Sequence, residues 1–149
     1  MTERAPPPNR VVPDAADTLA RAITEFNSWR FYDCHETLED AWRELGGKAS
    51  RRSGHDGGLA DFYQGIIKVA AGFHHLLRGN HKGTVNLLSD ALRLLEPFQP
   101  SYLGVDVQQL TNEVGQCLAR VQELPPDRLA EFDRGSIPRI EVNSAAVTS

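Results

Sequence analysis

Apolar residues recur along this chain at three- and four-residue steps, the spacing that lines one face of an α-helix, in several separate runs. Asp14 is placed to cap a first helix carrying Leu19, Ile23 and Phe26 and continuing towards Trp29, with a turn around Asn27 and Ser28. A second helix is predicted from about Phe31 to Leu45, with Phe31, Cys34, Leu38, Ala41, Trp42 and Leu45 on one arc and Gly46 and Gly47 as its stop. Residues 46–58 are rich in glycine, serine and charge, and predict a flexible loop. The third run, about Leu59 to Leu77, is the most apolar: Phe62, Ile66, Val69, Phe73 and Leu76 form one stripe, with Tyr63, Ile67 and Ala70 beside it. This should be the central helix. Arg78, Gly79 and Asn80 then supply a last-turn cation, a left-handed cap and the N-cap of a fourth helix.

The fourth helix carries Val85, Leu88, Leu92 and Leu95 before Pro97 and Pro100 break it. A fifth, capped by Asp106, carries Val107, Leu110, Val114, Cys117, Leu118, Val121 and Leu124 and stops at Pro125 and Pro126. Beyond it Leu129, Phe132, Ile137, Ile140 and Val142 are too irregular for a helix yet apolar enough to pack. No strand-like alternation and no repeat of fixed period stands out. The pattern therefore predicts an all-α, single-domain bundle of about five helices. Residues 1–13, with four prolines, form an extended arm; 14–124 form the bundle; 125–149 form an irregular tail that packs on it.

Length and composition narrow the class further. A chain of 149 residues, 40% hydrophobic and 24% charged, suits one ordinary globular core. The formal net charge of −4 argues against a nucleic-acid-binding face, and the single basic cluster, Lys48 to Arg52, falls in the Gly-rich loop. Cys34 and Cys117 both occupy apolar helical positions and read as reduced core thiols. No apolar run is long enough to cross a bilayer, and no secretory signal opens the chain, so the cytoplasm is the expected location and no membrane partner is expected.

The segment from Cys34 to Trp42 is the richest in chemistry. Helical phase sets His35 beside Trp42 on the core-facing arc, with Glu39 on its edge. Burying such groups is costly unless they are paired. The third helix offers partners, because Gln64, Lys68, His75 and Arg78 share a stripe opposite the phenylalanines, with His74 on its flank. Facing the second helix, that stripe would bring Gln64 and His75 to His35 and Glu39 in a polar pocket, with Lys68 or Arg78 countering Glu36. Facing water, it would bring nothing.

Three readings of the cluster follow. In the preferred one, His35 and Glu39 hydrogen-bond each other and the third helix, and fix the register of the two helices. In the second, His35, Glu39 and His75 ligate zinc or another divalent metal, and Glu36 serves as general base of a metal-dependent hydrolase. The motif is His-Glu-x-x-Glu, however, rather than the His-Glu-x-x-His of zinc proteases. In the third, the pocket is a binding groove; the helical hairpins and apolar tail also fit a protein-interaction module, homo-oligomerisation included. His55 and Asp56 suit a solvated turn. His81 and Lys82, at the start of the fourth helix, oppose its dipole and suggest either an anion site or surface tolerance. No phosphate loop, nucleophile elbow or Cys-x-x-Cys pair is present.

Three motifs in order, His35-Glu36-x-Leu38-Glu39-x-x-Trp42, Phe62-Tyr63-Gln64-Gly65-Ile66-Ile67-Lys68 and Arg78-Gly79-Asn80 with Gly83, resemble the domain of unknown function 309 family over about residues 19–118. The resemblance implies a small α-helical bundle, sometimes labelled a predicted metal-dependent hydrolase, with no established activity. It lends weight to His35, Glu36, Glu39, Trp42, Gln64, His75, Arg78 and Asn80. The chain departs from the family pattern at His74, where an aromatic often stands, so His74 is not expected as a ligand. The Gly-rich loop looks like an insertion.

Overall fold

Among the described residues the apolar runs fold as five α-helices: α1 (Ala15–Asn27), α2 (Phe31–Glu44), α3 (Leu59–Leu77), α4 (His81–Leu95) and α5 (Val107–Glu123). A computed structural model describes residues 15–46 and 58–142. The N-terminal arm, the Asp14 cap and residues 47–57, which hold the Lys48–Arg52 cluster, His55 and Asp56, lie outside the described residues. Helix α3 is central and packs on α2 and α4, while α1 packs on α2 and α5 on α4. The stripe Phe62, Ile66, Val69 and Phe73 is wholly buried, as the periodicity demands. Phe31 meets Phe26 edge-on at 5.0 Å between ring centroids and lies 5.9 Å from Phe73, which ties α1, α2 and α3 into one aromatic core.

The helix ends follow from local chemistry. Gly79 takes a left-handed φ of 80°, its N–H bonds Leu76 O at 3.1 Å, and Asn80 N–H reaches back to His75 O at 2.9 Å. Asn80 Oδ1 then accepts from Gly83 N at 2.9 Å and opens α4, while Asp106 Oδ1 accepts from Gln109 N at 3.0 Å and opens α5. Helix α1 ends in the same way as α3, but without glycine: Trp29 adopts a φ of 61°, with Trp29 N–H to Phe26 O at 2.9 Å and Arg30 N–H to Glu25 O at 2.8 Å. A left-handed non-glycine residue costs on the order of 1 kcal/mol. Stacking of the Trp29 ring on Phe31, at 6.3 Å and 28°, offsets part of that cost.

Helices α3 and α4 approach unusually closely at two glycines. A Cβ on Gly65 would sit 2.5 Å from Leu95 Cδ2, and one on Gly72 2.6 Å from Leu88 Cδ2, so only glycine fits at these two positions with the leucines where they are.

One feature departs from the sequence-based expectation. A small antiparallel hairpin, β1 (Ser101–Tyr102) with β2 (Val105–Asp106), precedes α5; its turn residues Leu103 and Gly104 have φ of 51° and 80°, the signature of a type I′ turn. After α5 the chain makes two short 3₁₀ turns, Pro126–Glu131 and Arg134–Ser136, and buries Leu129, Phe132, Ile137 and Ile140. The side chain of Asn27 then clasps the Ile140 backbone from both sides, donating Nδ2–H to Ile140 O at 3.1 Å and accepting Ile140 N–H at 2.8 Å.

His81 finds a role that its dipole position alone did not suggest. Its Nε2 lies 2.8 Å from Val121 O and 2.9 Å from Leu124 O, and because both partners are carbonyls Nε2 carries the proton. The imidazole thereby caps the end of α5 from the start of α4. Among the described residues no helix is long and apolar enough to cross a membrane.

Candidate functional site

The start of α2 lies against the end of α3, and between them a cleft of about 170 Å³ is lined by Phe31, Tyr32, His35, Ala71, His74 and His75. The spacing explains the lining. Tyr32 and His35 are one turn apart on α2, Ala71 and His75 one turn apart on α3, and His74 adjoins His75 on the side towards α2. The Tyr32 ring, 57% exposed, stacks on His35 at 6.0 Å and 25° and reaches His74 at 5.9 Å; His74 and His75 stand edge-on at 6.0 Å.

A hydrogen bond sets the state of one of the three imidazoles. Asn80 Nδ2 donates to His75 Nδ1 at 3.1 Å, so a neutral His75 carries its proton on Nε2. The residue that caps α4 thus also orients His75. His35 Nδ1 is buried with no hydrogen-bond partner; Glu36 Oε2 lies 3.5 Å away, and Glu39 Oε1 lies 3.9 Å from His35 Nε2. Neither carboxylate makes a hydrogen bond to the ring. His74 is held below the ordinary imidazole range, first by desolvation and then by the charges of Arg78, His75 and His35.

Of the residues singled out from sequence, the cleft gathers His35 and His75. Glu39 turns partly to Arg43, 3.6 Å from its Nη2. Lys68 reaches across to Asp90 of α4 at 3.6 Å rather than to Glu36. Trp42 Nε1 and Gln64 Oε1 are buried without hydrogen-bond partners, and neither residue lines the cleft. Arg78 is exposed one turn beyond His74. Tyr32 and Ala71 are the lining residues that the sequence reasoning passed over, and His74 is one that it noted but discounted as a ligand; an aromatic three residues before His35 was the available signal for the first.

The proposed metal set does not assemble. Among the described residues no group of three or more His, Cys, Asp or Glu is placed to hold a metal ion, and His75 Nδ1 is already taken by Asn80. Glu36, the candidate base, lines a different and larger groove of about 410 Å³ between α1 and α2. The buried acid of that groove, Glu25, is satisfied by Arg21 Nε at 3.2 Å and Thr37 Oγ1 at 2.7 Å. Burial and the Glu25 charge push the Cys34 thiol up to about 12, and burial pushes Cys117 up to about 11, so both remain inert thiols.

Comparison with known proteins bears on α1 to α4. Residues 19–87 match the family described as Domain of unknown function (DUF309), a shorter stretch than the motifs had suggested. A curated relative, "Uncharacterized protein YpuF" of Bacillus subtilis (strain 168), is 29% identical over 75 residues, which is 50% of this chain and 38% of that protein. The chain therefore spans well under half the length of that relative.

Proposed function

With residues 19–87 matching the DUF309 family, we propose that this chain is a small-molecule-binding protein whose site is the cleft between α2 and α3, sized for a single aromatic ring. The observation that carries the reading is the convergence of Phe31, Tyr32, His35, His74 and His75 around about 170 Å³ of space. An engineered apolar cavity of roughly 150 Å³ accepts benzene, so the volume suits one six-membered ring. Rings entering a cleft of this kind gain offset or edge-on contacts with the aromatic walls, and the imidazole nitrogens supply directional hydrogen bonds. Nothing in the arrangement calls for covalent chemistry. A cytoplasmic setting completes the proposal, supported by two cysteines that are free and buried.

Titration of ¹⁵N-labelled full-length protein with benzyl alcohol tests the reading. Saturable shifts are expected at the amides of Tyr32, Ala71, His74 and His75, with Val114 in α5 unmoved. Ala71→Leu, which fills the cleft, should remove them. Shifts that never saturate, or that persist unchanged in the filled variant, refute a ring-binding site.

A further inference from the structure

Taking the cleft reading as its basis, we propose that the preferred ligand is an uncharged aromatic ring bearing a hydrogen-bond acceptor, which takes the Nε2–H of His75, and that Asn80 sets this preference without lining the cleft. Three hydrogen bonds hold Asn80. Its backbone N–H reaches His75 O at 2.9 Å, its Oδ1 accepts from Gly83 N at 2.9 Å, and its Nδ2 lies 3.1 Å from His75 Nδ1. The second decides the third. A backbone N–H can only donate, so the amide oxygen is the atom that caps α4 and the amide nitrogen is the one turned to the imidazole. That nitrogen can only donate in turn, which leaves Nδ1 as the acceptor and the proton of a neutral His75 on Nε2.

Gly83 makes room for this arrangement. A Cβ there would sit 2.7 Å from Asn80 Nδ2 and 3.2 Å from Oδ1, so a side chain at that position would push the amide away from the place where it meets both partners. The N-cap of α4 thus fixes what the α3 wall of the cleft offers.

His75 lines the cleft, and no acceptor among the described residues takes its Nε2–H. A bare donor in a cleft walled by aromatic rings favours a ligand that can accept from it, because one that cannot displaces water from the N–H without replacing the bond. The α2 wall decides the charge of that acceptor. Glu36 Oε2 lies 3.5 Å from His35 Nδ1 and Glu39 Oε1 lies 3.9 Å from His35 Nε2, so an anion would enter beside two carboxylates. The acceptor that fits is therefore an uncharged atom such as a ring nitrogen or a carbonyl oxygen.

Four one-ring probes test the inference when titrated by NMR into the full-length protein at about pH 8.5, well above the ordinary imidazole range: pyridine accepts, benzene does neither, pyrrole donates and benzoate carries a charge. Pyridine is expected to bind roughly three- to tenfold more tightly than benzene, with pyrrole and benzoate weaker than pyridine. The imidazole ¹⁵N signals of His75 should show a bare Nδ1 and a protonated Nε2. Asn80→Asp keeps an equally good N-cap but offers His75 an acceptor in place of a donor. It should move the proton to Nδ1 and turn the preference from pyridine to pyrrole, with Tm close to that of the wild type. Gly83→Ala, which displaces the amide, should shrink the pyridine preference and leave benzene binding in place. Wild-type protein that binds pyridine no better than benzene, or binds pyrrole or benzoate more tightly, overturns the proposal and leaves a ring site standing; so does an Asn80→Asp variant in which the His75 proton or the pyridine preference stays where it was. If none of the four binds, the cleft reading fails and this inference fails with it.

Discussion

Alanine at Gly72 tests the close approach of α3 and α4. In an unobstructed helix interior, Gly→Ala stabilises by about 1 kcal/mol, because glycine loses more backbone freedom on folding. At Gly72 the new methyl would lie 2.6 Å from Leu88 Cδ2 and 3.0 Å from its Cγ, where an ordinary carbon contact needs roughly 3.5–4.0 Å. Leu88 is fully buried and has little room to turn away. Overpacking of this kind costs about 1–3 kcal/mol, so the propensity gain is cancelled or exceeded, with a net loss of up to about 2 kcal/mol. Gly115 in α5 provides the control, since a Cβ there meets nothing within 4 Å and Gly115→Ala should gain the full amount of about 1 kcal/mol. Thermal and urea unfolding of both variants reads the difference, at roughly 2–4 °C in Tm per kcal/mol for a chain of this size. The reasoning is refuted if Gly72→Ala gains as much stability as Gly115→Ala.

Three further predictions follow from the geometry. His81→Phe strips the cap from the Val121 and Leu124 carbonyls and should cost about 1–2 kcal/mol in urea unfolding, while Lys82→Ala should cost little; equal effects would deny His81 its capping role. Cys34 and Cys117 should resist a thiol reagent at about pH 8 in the native protein and react once unfolded, and rapid native labelling would contradict their burial. His74 has a folded pKa below its unfolded value of about 6.5, so between the two the unfolded chain holds more protons. Its contribution to stability is present above about pH 6.5 and is lost as pH falls through the lower folded value. His74→Asn should flatten that acid limb in urea titrations, and an unchanged limb would count against the shift.

The helices were legible because burial and capping are local. Asp106 and the Gly79–Asn80 pair sit where the sequence put them, and α2 ends at Glu44, one residue short of the expected Leu45. The β1–β2 hairpin was not legible: strands of two residues are too short to alternate, and Pro97 and Pro100 read simply as breakers. Tertiary partners were harder still. Phase placed Lys68 and His75 on one stripe of α3, but that stripe runs along the boundary between α2 and α4, so His75 joined α2 while Lys68 joined Asp90 of α4. His81 meets carbonyls some 40 residues away, and no spacing rule anticipates that. His74 stands one residue from His75, yet the familial pattern drew attention away from it.

The Asn27 clasp on Ile140 joins residues 113 positions apart. A chain emerging from the ribosome therefore makes α1 early but cannot fasten it until residue 140 has been made and the tail has wrapped back. Until then the amide of Asn27 must bond to water, and the apolar flank that Ile137 and Ile140 cover stands bare. The tail thus acts as a latch thrown last, and protease sensitivity of nascent fragments should fall only when it closes.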